Sequence, residues 1–166
     1  MNIPNSGETF EWKGCRYVAL GPEQGGLLAV SEGIVASCPF DERGRNDWRS
    51  SSLRAWLNGP YLSSVGGTDG LLPFTSDLTA DDGMMDYGTA EDMIFILSDG
   101  LYRKYRTLMP RVNRWRWSIT PWTCLPSYSC LVRFVFPDGT LYYESANGTL
   151  GVVAGLLFNP ESLEER

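Results

Sequence analysis

Three of the six tryptophans, Trp115, Trp117 and Trp122, fall within eight residues, in the run Trp-Arg-Trp-Ser-Ile-Thr-Pro-Trp. Indole rings bring a large contact area at small conformational-entropy cost, with a polar N–H at the tip. Beside arginine they suit stacking on a sugar or clamping a partner's side chain. Arg114, Trp115, Arg116, Trp117, Ser118 and Trp122 are therefore candidates for ligand contact. Thr123, Ser127, Tyr128 and Ser129, in the polar loop that follows, are better placed still, and Tyr142 and Tyr143 come from a later strand. Alternate residues of a strand share a face, so Trp115 and Trp117 compete for the core, and one of the pair is expected there. Tyr142 and Tyr143 point to opposite faces, so at most one is expected to be exposed.

A second chemistry would come from the acidic residues Asp77, Asp81, Asp82, Asp86, Glu91 and Asp92. Calcium takes about six to eight oxygen ligands, but the spacing is not that of an EF-hand loop, and lectin-type Glu-Pro-Asn and Trp-Asn-Asp motifs are missing. The run reads as a solvated acidic loop; no metal or other cofactor is expected. A glycosidase pair would need two of these carboxylates ~5–10 Å apart, which spacing in sequence cannot supply. The chain contains no histidine, which removes the commonest general base and metal ligand. Cys15, Cys38, Cys124 and Cys130 include no Cys-x-x-Cys pair, so a zinc ribbon is not expected. Cys124 and Cys130 could close a short disulfide loop, but four reduced thiols are the expectation. Binding is favoured over catalysis.

The elements that must position these residues can be read from periodicity. A length of 166 residues, with 43% hydrophobic and 20% charged residues, suits one domain with a sizeable core. Abundant aromatics, glycine and proline favour strands joined by turns. The net charge of −6 argues against nucleic acid or an anionic membrane as partner. The first residues, Met1 to Ser6, lack a basic or long apolar run, so no signal peptide is expected, and no stretch reaches the ~20 apolar residues of a transmembrane helix. A cytoplasmic or particle-associated protein without membrane insertion is the expectation.

Residues 8–20 read as a hairpin about Lys13-Gly14, with a turn over Gly21-Pro22 to Gly25-Gly26 and a strand at Leu27–Val30. Leu53, Trp56 and Leu57 predict a short helix with a Ser N-cap, stopped by Asn58-Gly59-Pro60, with Trp56 inward. Residues 63–92 read as a long irregular region. Met93–Leu97 is a strand, and Ser98-Asp99 opens a second short helix carrying Leu101, Tyr102 and Tyr105. Leu131–Phe136, an Asp138-Gly139 turn, Thr140–Tyr143, an Asn147-Gly148 turn and Gly151–Phe158 close the chain as a β-meander, before a charged end at Glu161–Arg166. The sum is a single α+β domain.

The order of these pieces resembles a widespread family of uncharacterised bacterial and phage domains. Asn46–Gly59 is similar to its W-x-x-S-x-L-R-x-W-L-N signature, Ile94–Ser98 to its FLLS strand and helix cap, and Trp115–Pro121 to its WWLRTP strand. Phe136–Leu141 and Gly151–Val153 are similar to its late hairpin and closing GVRPAL strand. The resemblance covers residues 15 to 159 and implies a C-type-lectin-like fold, mostly antiparallel β with two short helices and long irregular loops. That fold is shared with formylglycine-generating-enzyme-like modules and with the variable proteins of diversity-generating retroelements. It implies a scaffold whose late loops and strands display a ligand-binding face, as in a phage receptor-binding or diversified display protein that meets a protein or glycan on a cell surface. A structural or accessory domain that oligomerises through the aromatic patch is the alternative, and an enzyme using the acidic loop the third reading. Ser118-Ile119 and Val153-Ala154 stand where the family has Leu-Arg and Arg-Pro, so the arginines that hold its late loops are replaced.

Overall fold

The structure, a computed structural model, describes residues 2–165; Met1 and Arg166, the outermost residues of the two terminal segments read above, lie outside them. The first hairpin forms as its sequence dictates. Strands β1 (Thr9–Trp12) and β2 (Cys15–Glu23) are joined at Lys13-Gly14, both at positive φ, the two-residue turn that matches strand twist. β2 runs on through Gly21-Pro22, which the sequence reads as turn, and a register shift between Ala19 and Gly21 accommodates them. A Cβ on Gly21 would sit 3.0 Å from the Tyr105 ring, so glycine is what allows that ring to lie against the strand. The reversal comes instead at Gln24-Gly25, again both at positive φ.

β3 (Gly26–Ser31) and β13 (Gly155–Phe158) extend this sheet in the order β1-β2-β3-β13, with β5 (Leu71–Leu72) and β8 (Ile94–Phe95) both pairing β13. A second sheet follows the order β11-β10-β9-β12-β4, from Leu141–Ser145, Leu131–Val135, Arg116–Pro121, Leu150–Val152 and Ala36–Cys38 respectively. Its β9–β12 pair is parallel, and the other strand pairs among the described residues are antiparallel. The class is α+β, mostly antiparallel with few and short helices. The region 63–92 is more ordered than its composition suggests: β6 (Phe74–Asp77) and β7 (Thr89–Asp92) pair as a third, two-stranded sheet.

Four short α segments replace the two expected, among the described residues: α1 (Ser52–Trp56), α2 (Leu62–Ser64), α3 (Asp99–Tyr105) and α4 (Pro160–Glu164). Ser51 and Ser98 cap α1 and α3 as expected, accepting from Arg54 N and Leu101 N. The chain does not stop at Asn58-Gly59-Pro60. It continues through a π turn, Leu57–Tyr61, into α2; the wider coil accommodates a proline ring that would collide with the carbonyl four residues back in an α-helix. Trp56 is half-buried, packing against the edge of the core and stacking on Tyr61 at 5.3 Å, whereas Trp48 is 1% exposed.

The core has two centres. Phe10, Trp12 and Tyr17 surround Phe158 with ring centroids 5.2–5.8 Å away. Phe40 meets Trp48 and Trp117 at 5.6 and 5.8 Å under the second sheet. No helix among the described residues is long and apolar enough to cross a membrane.

Candidate functional site

Alternation would set Trp115 and Trp117 on one face, but β9 begins only at Arg116, and the two indoles part. Trp117 is buried, edge-on to Phe40, and donates its Nε1–H to Cys38 O at 2.9 Å. Trp115, one residue before the strand, is 47% exposed and stacks on Phe134 at 5.0 Å. One indole of that pair is thus core and the other surface. Ser118 and Thr120 turn towards α3, where the Ser118 hydroxyl donates to Asp99 Oδ1 at 2.6 Å and Asp99 N donates to Thr120 Oγ1 at 3.0 Å.

The exposed candidates gather along β11, the edge of the second sheet. Trp115 stacks on Phe134 and meets Phe136 edge-on, and Tyr142 lies against both phenylalanines. Tyr142 and Tyr143 pair with Phe134 and Arg133, so their backbones do alternate. Because β11 has no outer neighbour among the described strands, the two rings curl round the edge and stack at 4.7 Å. Tyr143 then meets Trp122 at 4.6 Å, and the Arg133 guanidinium lies 5.4 Å from the Trp122 ring. The result is one aromatic ribbon passing from one face of the sheet, round its edge, to the other. Tyr142 is 52% exposed and Tyr143 half-buried.

Buried polar groups hold this ribbon. Arg133 lies 3.2 Å from Asp99 Oδ2 and 3.6 Å from Asp81 Oδ1, which fixes the cation under Trp122. Asn46, fully buried, donates to Thr123 O and Leu131 O at 2.8 and 3.0 Å and accepts from the Tyr87 hydroxyl at 2.7 Å. Thr123 is also buried; its hydroxyl donates to Asp82 Oδ2 at 2.6 Å, tying the loop between β6 and β7 to the one after β9. Tyr128 (53% exposed) and Ser127 project from a short 3₁₀ turn, while Ser129 is half-buried and bonds Pro126 O. Arg114 is exposed and hydrogen-bonded to Ser37.

The structure therefore brings Trp115, Trp122, Tyr142 and Tyr143 together, with Ser127 and Tyr128 on the adjoining loop. It places Trp117, Ser118 and Thr123 in the interior, where they position the surface and do not form it. Sequence reading missed Arg133, Phe134 and Phe136 as parts of the ribbon; the available signal was an arginine inside the apolar run Leu131–Phe136. The acidic run divides. Asp92 is buried and accepts from Trp48 Nε1 at 2.9 Å and Arg54 Nε at 2.8 Å, a structural role that explains the Trp and Arg of the helix motif. Among the described residues no group of three or more carboxylates and thiols is arranged to hold a metal ion. All four cysteines are free; Cys124 is buried facing Met84 O, whereas Cys130 is exposed. No protein-family model, curated protein or solved structure matches the chain.

Proposed function

We propose that the chain is a non-enzymatic recognition module of C-type-lectin-like fold, which binds a protein or glycan on a cell surface through the aromatic ribbon around β11. The continuous run of rings carries this reading, because Trp115, Tyr128 and Tyr142 are all about half exposed although a core of ample size is available to them. Rigid aromatics backed by buried hydrogen bonds are what a preorganised contact surface needs. The lectin-like assignment is supported by the sharing of one sheet by β1 to β3 and β13, while the late strands, with β4 at one edge, form a second sheet that carries the exposed aromatics. A phage receptor-binding protein, or a variable protein of a diversity-generating retroelement, is the setting the resemblance favours. Positions 114, 127 and 128 are exposed and clear of the core; 115 and 142 lie over Phe134, 122 over Arg133, and 117, 118 and 123 are interior.

The test is binding of the purified protein to a glycan array and to a panel of intact bacterial cells, repeated with Trp122→Ala, Tyr128→Ala and Tyr142→Ala. Loss of about 2 kcal/mol per central aromatic, roughly thirty-fold in affinity, with oligomeric state unchanged, is the expected result. The open, aromatic edge of β11 favours one second reading, an oligomer interface in a structural domain; dissociation of an oligomer by the same substitutions would favour it instead. No binding in either panel would overturn the recognition reading.

A further inference from the structure

Arg116 stands on β9 between Trp115 and Trp117, and its side chain is 6% exposed. The contact it makes is with the Tyr102 ring, 5.8 Å from its guanidinium carbon; no carboxylate forms an ion pair with it among the described residues. Most of its side chain lies out of water, and burial lowers the guanidinium pKa, with Tyr102 acting in the opposite sense. Its guanidinium reaches the surface through a cleft.

Arg116 lines a cleft of about 250 Å³ between the end of α3 and the turn after β10. Arg106 and Arg111, both exposed and neither in a described ion pair, line the same cleft. The one carboxylate there is Asp138, which accepts from Thr140 N and Oγ1 at 3.0 and 2.7 Å. Three guanidinium groups against one carboxylate leave a local charge of about +2 in a chain of net charge −6. The wall is built: the Tyr102 hydroxyl donates to Gly139 O at 2.9 Å, and a Cβ on Gly139 would lie 2.8 Å from Arg106 Nη2. The turn thus stays open to the guanidinium groups only because position 139 is glycine.

We propose that this cleft is a binding site for a phosphate dianion, free or carried as the monoester of a small molecule. Guanidinium forks match phosphate oxygens in bidentate geometry, and a phosphate of charge about −1.5 to −2 at neutral pH balances the local excess. The inference rests on no part of the aromatic ribbon, so the two readings fail separately.

Calorimetric titration and thermal melting would use inorganic phosphate and glycerol phosphate, with sodium chloride and acetate at matched ionic strength. Binding of one or both phosphates, with a rise in melting temperature that chloride and acetate do not reproduce, is expected. Tighter binding of the ester identifies it as the physiological form, and equal or weaker binding identifies the free ion. Arg106→Gln and Arg111→Gln alter exposed side chains and leave the fold intact; each should weaken binding about tenfold, the effect of one lost charge-assisted hydrogen bond. Arg116→Met should abolish the response and, where it folds, melt no lower than the parent without phosphate. A phosphate response equal to that of chloride, or one that both glutamine variants leave unchanged, would overturn the proposal.

Discussion

At the scale of single residues, the polar groups of the interior divide by whether they are satisfied. Asn46 spends both amide hydrogens and its oxygen on Thr123 O, Leu131 O and the Tyr87 hydroxyl. Asn46→Ala would take a donor from Thr123 O and from Leu131 O and the acceptor from the Tyr87 hydroxyl, although Leu131 O keeps its bond from Trp122 N; an unfolding-free-energy loss of about 2 kcal/mol is expected, read by denaturant titration. Ser76 is the opposite case: its buried hydroxyl has no partner among the described residues. Ser76→Ala should leave stability unchanged or raise it by about 1 kcal/mol, and a marked loss would show that the hydroxyl is bonded in solution. In the sequence Asn46 only flanks the helix motif, and its partners lie 41 to 85 positions away, beyond the reach of any local pattern.

At the scale of elements, the segment after α1 shows how a tertiary contact outweighs a local stop signal. Gly59 and Pro60 should end a helix, yet the coil widens and continues. Asn58 holds it there: its amide donates to Ile94 O at 2.8 Å and accepts from Ile94 N at 3.0 Å, as a neighbouring strand would, and also donates to Arg54 O at 3.1 Å. Asn58→Ala should cost about 2 kcal/mol. Asn58→Asp should cost at least as much, since a carboxylate would face the Ile94 carbonyl with no hydrogen to offer. Equal melting temperatures for both variants and the parent would mean that the π turn is held by the apolar packing of Leu57 alone.

For the whole molecule, the titrating groups set a pH window. Burial pushes the Glu23 carboxyl up, but hydrogen bonds from Lys104 and Tyr105 and the Lys104 charge bring it below its usual 4.5. Asp82 is held below 3.8 by hydrogen bonds from Thr123 and Met84 N. A depressed folded-state pKa gives stability that is present above the unfolded value and lost as pH falls. Burial raises the Cys38 and Cys124 thiols above 9.0, so their contribution is present below that pH and lost above it. With no histidine in the chain, the melting temperature should be nearly flat between these limits, falling below about pH 4.5 and above about pH 9; a step near pH 6.5 would contradict this. The sequence by itself determined what local physics can determine: the α+β class, the tight hairpin at Lys13-Gly14, the serine caps of α1 and α3, and the strands that carry the aromatics. Side-chain period and turn chemistry act over a few residues, so they are legible in order along the chain. Only the tertiary structure decided which aromatics face solvent, that Tyr142 and Tyr143 stack round a sheet edge, that Asp92 serves Trp48 and Arg54 and not an acidic loop, and that Arg116 has no carboxylate beside it. Each of these depends on which strand neighbours which, a pairing between segments distant in sequence that no local propensity encodes.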